Sequence, residues 1–179
     1  LDGTYITERG LSLLELCPNL RSLHLNRCWN IIYKSEANRC IMPAVNKMLH
    51  LRDVQISDTR LSGRMLSDHP SLKLQTLIAA RCPISVHAVR MLAEMSHDTL
   101  QNLSFAGCSF INTKCIHYLL RFAQLQTIDL SHCSGLTPTD FELFRRMPAA
   151  AIAHLRSVNA TGVPGMTSAV CQKLANALS

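Results

Sequence analysis

Eight cysteines and eight histidines are the residues of this 179-residue sequence with the chemistry of metal ligands and nucleophiles. Zinc sites are commonly built from cysteines paired as Cys-x-x-Cys, and no such spacing occurs here. One grouping has the residue types of a nucleophilic relay: Ser104, Asp129 and His132. Such a relay needs histidine between serine and aspartate, its two ring nitrogens bridging them. Ser104 and Asp129 instead fall at the same point of two adjacent sequence units, as lateral neighbours, and His132 falls beyond a bend. The order is wrong for a relay. His24 lies about four strand spacings, ~19 Å, from Asp129. Glycine-rich phosphate loops, H-E-x-x-H motifs and paired carboxylates are absent from the sequence. These residues are expected to be exposed and solvated rather than catalytic, with no metal and no cofactor.

The elements that must hold these residues are written as a repeat, which is read before anything else. Leu20-x-x-Leu23-x-Leu25-x-x-Cys28 returns as Leu100-x-x-Leu103-x-Phe105-x-x-Cys108 and as Leu125-x-x-Ile128-x-Leu130-x-x-Cys133. Looser copies start at Leu51, Leu74 and Leu155, closing on Thr59, Cys82 and Val163, and Leu1 to Thr4 read as the tail of another. Successive starts are 31, 23, 26, 25 and 30 residues apart. Alternating residues of each triad point to one side of a short strand. Beyond each triad comes a helix cap: Thr7, Ser62, Ser85, Asn112, Thr137 or Thr167. Apolar residues stand just before these caps (Ile6, Leu61, Ile84, Ile111, Leu136, Met166) and mostly four after them (Leu11, Leu66, Val89, Ile116, Phe141, Cys171), as in a hydrophobic staple. Leu14, Leu92, Leu119, Phe144 and Leu174 continue the helical face, and His69 breaks it. Pro138 suits a first helical position. The expected fold class is therefore α/β: a solenoid with a curved parallel sheet and helices on its convex side, in six to seven repeats forming one domain over residues 1–179, part of a longer chain. Two spacings carry extra residues, Trp29 to Cys40 and Pro148 to Ala153, and both are expected to form surface loops on a rim.

Four cysteines, Cys28, Cys82, Cys108 and Cys133, occupy the closing position of the triad. There a side chain points inward, and a thiol fills apolar space while bonding weakly to loop backbone. Cys17 precedes Pro18, and Cys115 and Cys171 fall on helix faces, which leaves Cys40 as the one thiol open to reagents. Structural thiols without disulfides point to a reducing compartment: cytoplasm or nucleus, with the mitochondrial matrix as the alternative.

The run Ile6-Thr7-Glu8-Arg9-Gly10-Leu11-x-x-Leu14, followed by Cys17-Pro18-Asn19-Leu20-x-x-Leu23-x-Leu25-x-x-Cys28, closely resembles the cysteine-containing leucine-rich repeat of F-box/LRR proteins and their antagonist-of-mitotic-exit relatives. Ile111-Asn112-x-x-Cys115-Ile116 and Leu136-Thr137-x-x-Asp140-Phe141 are looser copies, with Cys115 and Asp140 in the place of Gly10. The resemblance covers nearly all of the chain. It implies a concave face and a C-terminal rim that select substrates for ubiquitin ligases. Short solenoids of mitochondrial coupling-factor and respiratory-complex assembly proteins are also similar, and there the repeat domain is a docking subunit.

Net charge is +6, with twelve Lys/Arg against seven Asp/Glu in residues 1–90 and six against five in 91–179. The basic residues are scattered singly and without interleaved aromatics, which argues against nucleic acid as partner. No apolar run approaches the ~20 residues of a membrane helix. The expected partner is another protein, with an acidic or mixed-charge surface. The candidate contact residues are His24, Gln55, Asp129 and Asn159 along the sheet, Arg27, Asp58, Arg81 and His132 beside the turns, and Arg52 at a strand start. Ser104 is expected to face solvent beside them. The alternative function is a constitutive structural or assembly subunit of a large complex.

Overall fold

Alternation of apolar and polar residues gives each triad one face for a core and one for water, and each folds as a strand of three residues. The computed structural model describes residues 1–31, 48–63 and 72–172. Among these the strands are β1 (Ser22–His24), β2 (Asp53–Gln55), β3 (Thr76–Ile78), β4 (Asn102–Ser104), β5 (Thr127–Asp129) and β6 (Ser157–Asn159). They form a single parallel sheet in chain order. The register never slips: Leu23, Val54, Leu77, Leu103, Ile128 and Val158 stand side by side. All but Val158 are buried. Slipping any strand by one residue would expose this column, so burial itself fixes the register. Leu25, Ile56, Ala79, Phe105 and Leu130 form a second, fully buried column behind it.

Between strands the chain returns through helices: α1 (Glu8–Ser12), α2 (Val86–Ser96), α3 (Thr113–Leu119), α4 (Pro138–Glu142) and α5 (Ala149–His154). 3₁₀ turns extend α1 over Leu13–Leu16 and α4 over Leu143–Arg146, and helical backbone resumes over 168–172. Caps stand where the spacing places them at Ser85 and Asn112, whereas the Ser62 hydroxyl is buried without a hydrogen-bond partner among the described residues. Ser85 Oγ accepts the Ala88 N–H at 3.2 Å, and Asn112 Oδ1 the Lys114 N–H at 3.0 Å. Thr137 is held in the reverse sense, its N–H (2.8 Å) and hydroxyl (2.9 Å) both donating to buried Asp140 Oδ2. Thr7 precedes α1 without a side-chain cap bond, so its role is only conformational. The staple residues Leu61, Ile84, Ile111 and Leu136 are buried against the core. At the last unit the staple opens: Met166 is half-buried and Cys171 exposed. Pro148 to Ala153 is not a loop but the start of α5, a short helix that sets Ala151 into the core. Leu66, His69, Leu174 and the Cys40 loop lie outside the described residues.

Strands pack about 4.8 Å apart while helices need about 10 Å, so stacking such units must curve the sheet inward. The result is a leucine-rich repeat solenoid with the sheet on its concave side.

Candidate interaction face

Just after each strand the chain makes the same tight turn, and this turn decides which polar side chains are available. Two residues past each triad stand Gly3, Arg27, Asp58, Arg81, Gly107, His132 and Gly162, and all seven have φ between 56° and 71°. The left-handed conformation aims the N–H of the first six at the next rung. It donates to the carbonyls of Asn26, Ser57, Ala80, Ala106, Ser131 and Thr161 at 2.7–2.9 Å. Four of the candidate contact residues (Arg27, Asp58, Arg81 and His132) therefore occupy a conformation that glycine adopts freely and other residues do not.

The N–H one residue earlier is served differently in the two halves of the solenoid. In the first half, a side chain from the previous rung reaches across. Asp2 Oδ1 accepts from Asn26 N–H (2.8 Å), Asn26 Oδ1 from Ser57 N–H (2.8 Å), and Ser57 Oγ from Ala80 N–H (3.1 Å). Ala80 has no acceptor to pass on, and from there each rung serves itself. Ser104 Oγ accepts from Ala106 N–H (3.4 Å), Asp129 Oδ1 from Ser131 N–H (2.9 Å), and Asn159 Oδ1 from Thr161 N–H (3.1 Å). Three polar residues of the C-terminal face are thus engaged by their own turns, whereas His24, Gln55 and Ile78 at the equivalent N-terminal positions are not. Ser104, expected to face water, is only 8% exposed. It sits mid-sheet between Ile78 and Asp129 with its hydroxyl turned back into the turn. Asp129 is turned away to Ser131 and His132 lies against Gly162, so the three do not form a relay.

Of the remaining candidates, the structure pairs His24 with Asp53, the Nε2–H donating to Oδ2 at 2.7 Å. The other Asp53 oxygen is buried and has no hydrogen-bond partner among the described residues. Gln55 Oε1 accepts from Asn26 Nδ2 at 3.3 Å. Arg81 grips Asp58 with Nε and Nη2, both at 2.5 Å, and the guanidinium holds the Asp58 carboxyl below the usual aspartate range. Arg52 Nη1 donates to the Leu51 carbonyl (2.8 Å) and the Leu49 carbonyl (3.2 Å), closing the turn before β2. Arg27 has neither an ion pair nor a side-chain hydrogen bond among the described residues, and the same holds for Arg21 and Arg60. Asp53 and Asn26 were not among the residues picked from sequence. Their signal was the polar residue beside each triad, which single-strand alternation treats as mere surface.

Behind the face runs the cysteine ladder. The thiols of Cys28, Cys82, Cys108 and Cys133 donate to the carbonyls of Leu1, Ile56, Ala79 and Phe105, one rung back, at 2.9–3.2 Å. Thr59 fills the same place with its hydroxyl, 2.7 Å from the Ile56 carbonyl. Burial pushes the Cys108 thiol up to about 12 and Cys133 to about 11. Cys40 is not the only thiol to consider, because Cys17 and Cys171 are exposed, one at the end of a 3₁₀ turn and one on the solvent side of a helix. Among the described residues no group of His, Cys, Asp and Glu is arranged to hold a metal, and no helix is long and apolar enough to cross a membrane.

In-register strands, a left-handed turn column and inward thiols together define a leucine-rich repeat protein. No family model matches the chain. Over 140 residues it is 31% identical to lysine-specific demethylase 2A of Xenopus tropicalis, a stretch that covers 68% of this chain and 12% of that protein. Its fold is similar to the tropomodulin C-terminal domain of Caenorhabditis elegans (TM-score 0.47, 12% identity, 94% of this chain and 90% of that one). It is also similar to TLR13 in its complex with ssRNA13 (TM-score 0.48, 16% identity, 87% of this chain and 27% of that one).

Proposed function

We propose that this chain is a non-catalytic protein-recognition module that holds its partner on the concave face, chiefly over its N-terminal rungs. The observation that carries this reading is the split in how turn N–H groups are satisfied. Side chains of the C-terminal face bond their own backbone, while the first rungs pass that task from turn to turn and leave His24 and Gln55 bonded only to other side chains of the face, Asp53 and Asn26. Carboxylates there are already hydrogen-bonded, Asp2 to Asn26, Asp53 to His24 and Asp58 to Arg81, whereas Arg21 and Arg27 have no side-chain hydrogen bond or ion pair among the described residues, the Arg27 charge acting on Asp58 only at longer range. The unspent charge is positive, which suits an acidic or mixed-charge protein surface. The resemblance to F-box/LRR repeats adds substrate selection for a ligase complex as the setting, and the free buried thiols fit a reducing compartment.

Site-specific photo-crosslinking tests the reading. A photoreactive residue at Gln55 or Ile78 should give protein adducts in an extract of the source cells, and one at Arg121 or Arg145 on the helical side should not. Adducts from the helical positions alone would replace recognition with the structural-subunit reading.

A further inference from the structure

We propose that the rim beside the first rungs, built by Tyr5, Trp29 and Arg27, docks a protein segment that carries a carboxylate next to an apolar side chain. The proposal rests on the recognition reading above and names the anchor of the partner. Tyr5 directly follows the closing residue Thr4, and Trp29 directly follows the closing residue Cys28. They are therefore equivalent positions on successive rungs, about one strand spacing, ~4.8 Å, apart. The next position in the column is Arg60. Tyr5 is 87% and Trp29 71% exposed, in a chain that buries most of its other large apolar side chains. Both line one open cleft together with Gly3, Thr4 and Arg27. Gly3 keeps the floor of that cleft bare, since a Cβ there would have nothing within 4 Å.

Arg27 supplies the charge. Its left-handed backbone holds it on the rim at φ 58°, where Gly3, Gly107 and Gly162 stand in other rungs. The neighbouring carboxylates are hydrogen-bonded to other groups: Asp2 takes the N–H and amide of Asn26, and Asp58 takes Arg81, with the Arg27 charge a lesser influence on it. A guanidinium beside two exposed rings is the composition of a binding hot spot, and the missing counterpart is a carboxylate with an apolar neighbour. Single-stranded nucleic acid would also stack on the rings. A phosphate chain is held by a row of cations, however, and among the described residues Arg27 is the one cation lining this cleft.

Trp29 is the single tryptophan of the chain, so its fluorescence reads this rim directly. A random peptide display library panned on the intact chain, with counter-selection on a Tyr5→Ser/Trp29→Ser variant, should return peptides with Asp or Glu beside an apolar residue. Such a peptide should blue-shift and saturate Trp29 emission. Arg27→Gln should weaken it at least ten-fold, and Arg145→Gln should leave it unchanged. Circular dichroism of each variant reports whether the fold is kept, and Arg27→Gln is a purely surface change should the double variant misfold. Recovery of peptides without acidic residues, or equal binding by Arg27→Gln, overturns the proposal. So does tighter binding of oligothymidylate than of the peptides, or self-association lost in the Tyr5/Trp29 variant. Concave-face crosslinks at Gln55 that persist alongside any of these results would leave the recognition reading standing and remove only the rim.

Discussion

At the scale of single residues, the cysteines act as small hydrophobes with one directed hydrogen bond. Each thiol of the ladder sits where its rung closes and donates to the carbonyl of the rung before, so it contributes a weak polar link without the desolvation cost of a larger amide. At Cys82, Cys108 and Cys133 burial then disfavours the thiolate, the form that reacts. At pH 8, iodoacetamide should label Cys17 and Cys171 within minutes and leave Cys28, Cys82, Cys108, Cys115 and Cys133 unmodified until denaturant is added, as read by peptide mass spectrometry. Rapid labelling of Cys108 in the native protein would contradict the inward ladder. The sign of the alkaline effect follows from the same shift. Unfolded thiols ionise near 9.0 whereas Cys108 stays protonated to about 12, so stability present below pH 9 is lost as pH rises above it.

At the scale of the element, the repeating turn is stricter than the strand. Its left-handed residue is required because only that conformation sends the N–H sideways into the next rung, and four rungs pay for it with a side chain on Cβ. At Gly107 and Gly162, though not at Gly3, the neighbouring rung has used the space. A Cβ on Gly162 would lie 2.3 Å from His132 Nδ1, and one on Gly107 would lie 2.9 Å from Arg81 Cγ. Gly162→Ala should therefore cost about 1–2 kcal/mol in urea denaturation, from left-handed strain together with the clash. In a double-mutant cycle with His132→Ala, about 0.5 kcal/mol or more of that cost should return, since the ring is gone and only the backbone strain remains. Strict additivity would mean that His132 does not pack on Gly162.

For the molecule as a whole, stability is a sum of rungs and the interfaces between them. Leu103 on β4 is 1% exposed, with Leu77 and Ile128 in register on either side. Val158 on β6 is half-buried, with Ile128 paired on one side. Leu103→Ala should cost about 2–5 kcal/mol, and Val158→Ala clearly less, about 1 kcal/mol. Equal losses in denaturant titrations would mean that burial does not grow toward the middle of the solenoid. The same gradient leaves large apolar side chains bare near the N-terminal end, where Tyr5 and Trp29 are exposed.

The repeat phase, the strand register and the inward cysteines were all legible in the sequence. The apolar positions recur with a period that leaves one register able to bury them, and Cys28, Cys82, Cys108 and Cys133 keep the same phase. The caps at Ser85 and Asn112 were legible for the same local reason, because the donors they serve lie two or three residues away. The engagement of each polar side chain was not. Ser104, Asp129 and Asn159 read as the same kind of surface as His24 and Gln55, and only the stacked structure shows the first three turned to their own backbone. Glycine marked the left-handed turn at Gly3, Gly107 and Gly162, but nothing local marked it at Arg27, Asp58, Arg81 or His132. Those outcomes depend on whether the neighbouring rung, 23 to 31 residues away, supplies a side-chain acceptor for the turn N–H; where it does not, the rung's own side chain two residues back takes that N–H.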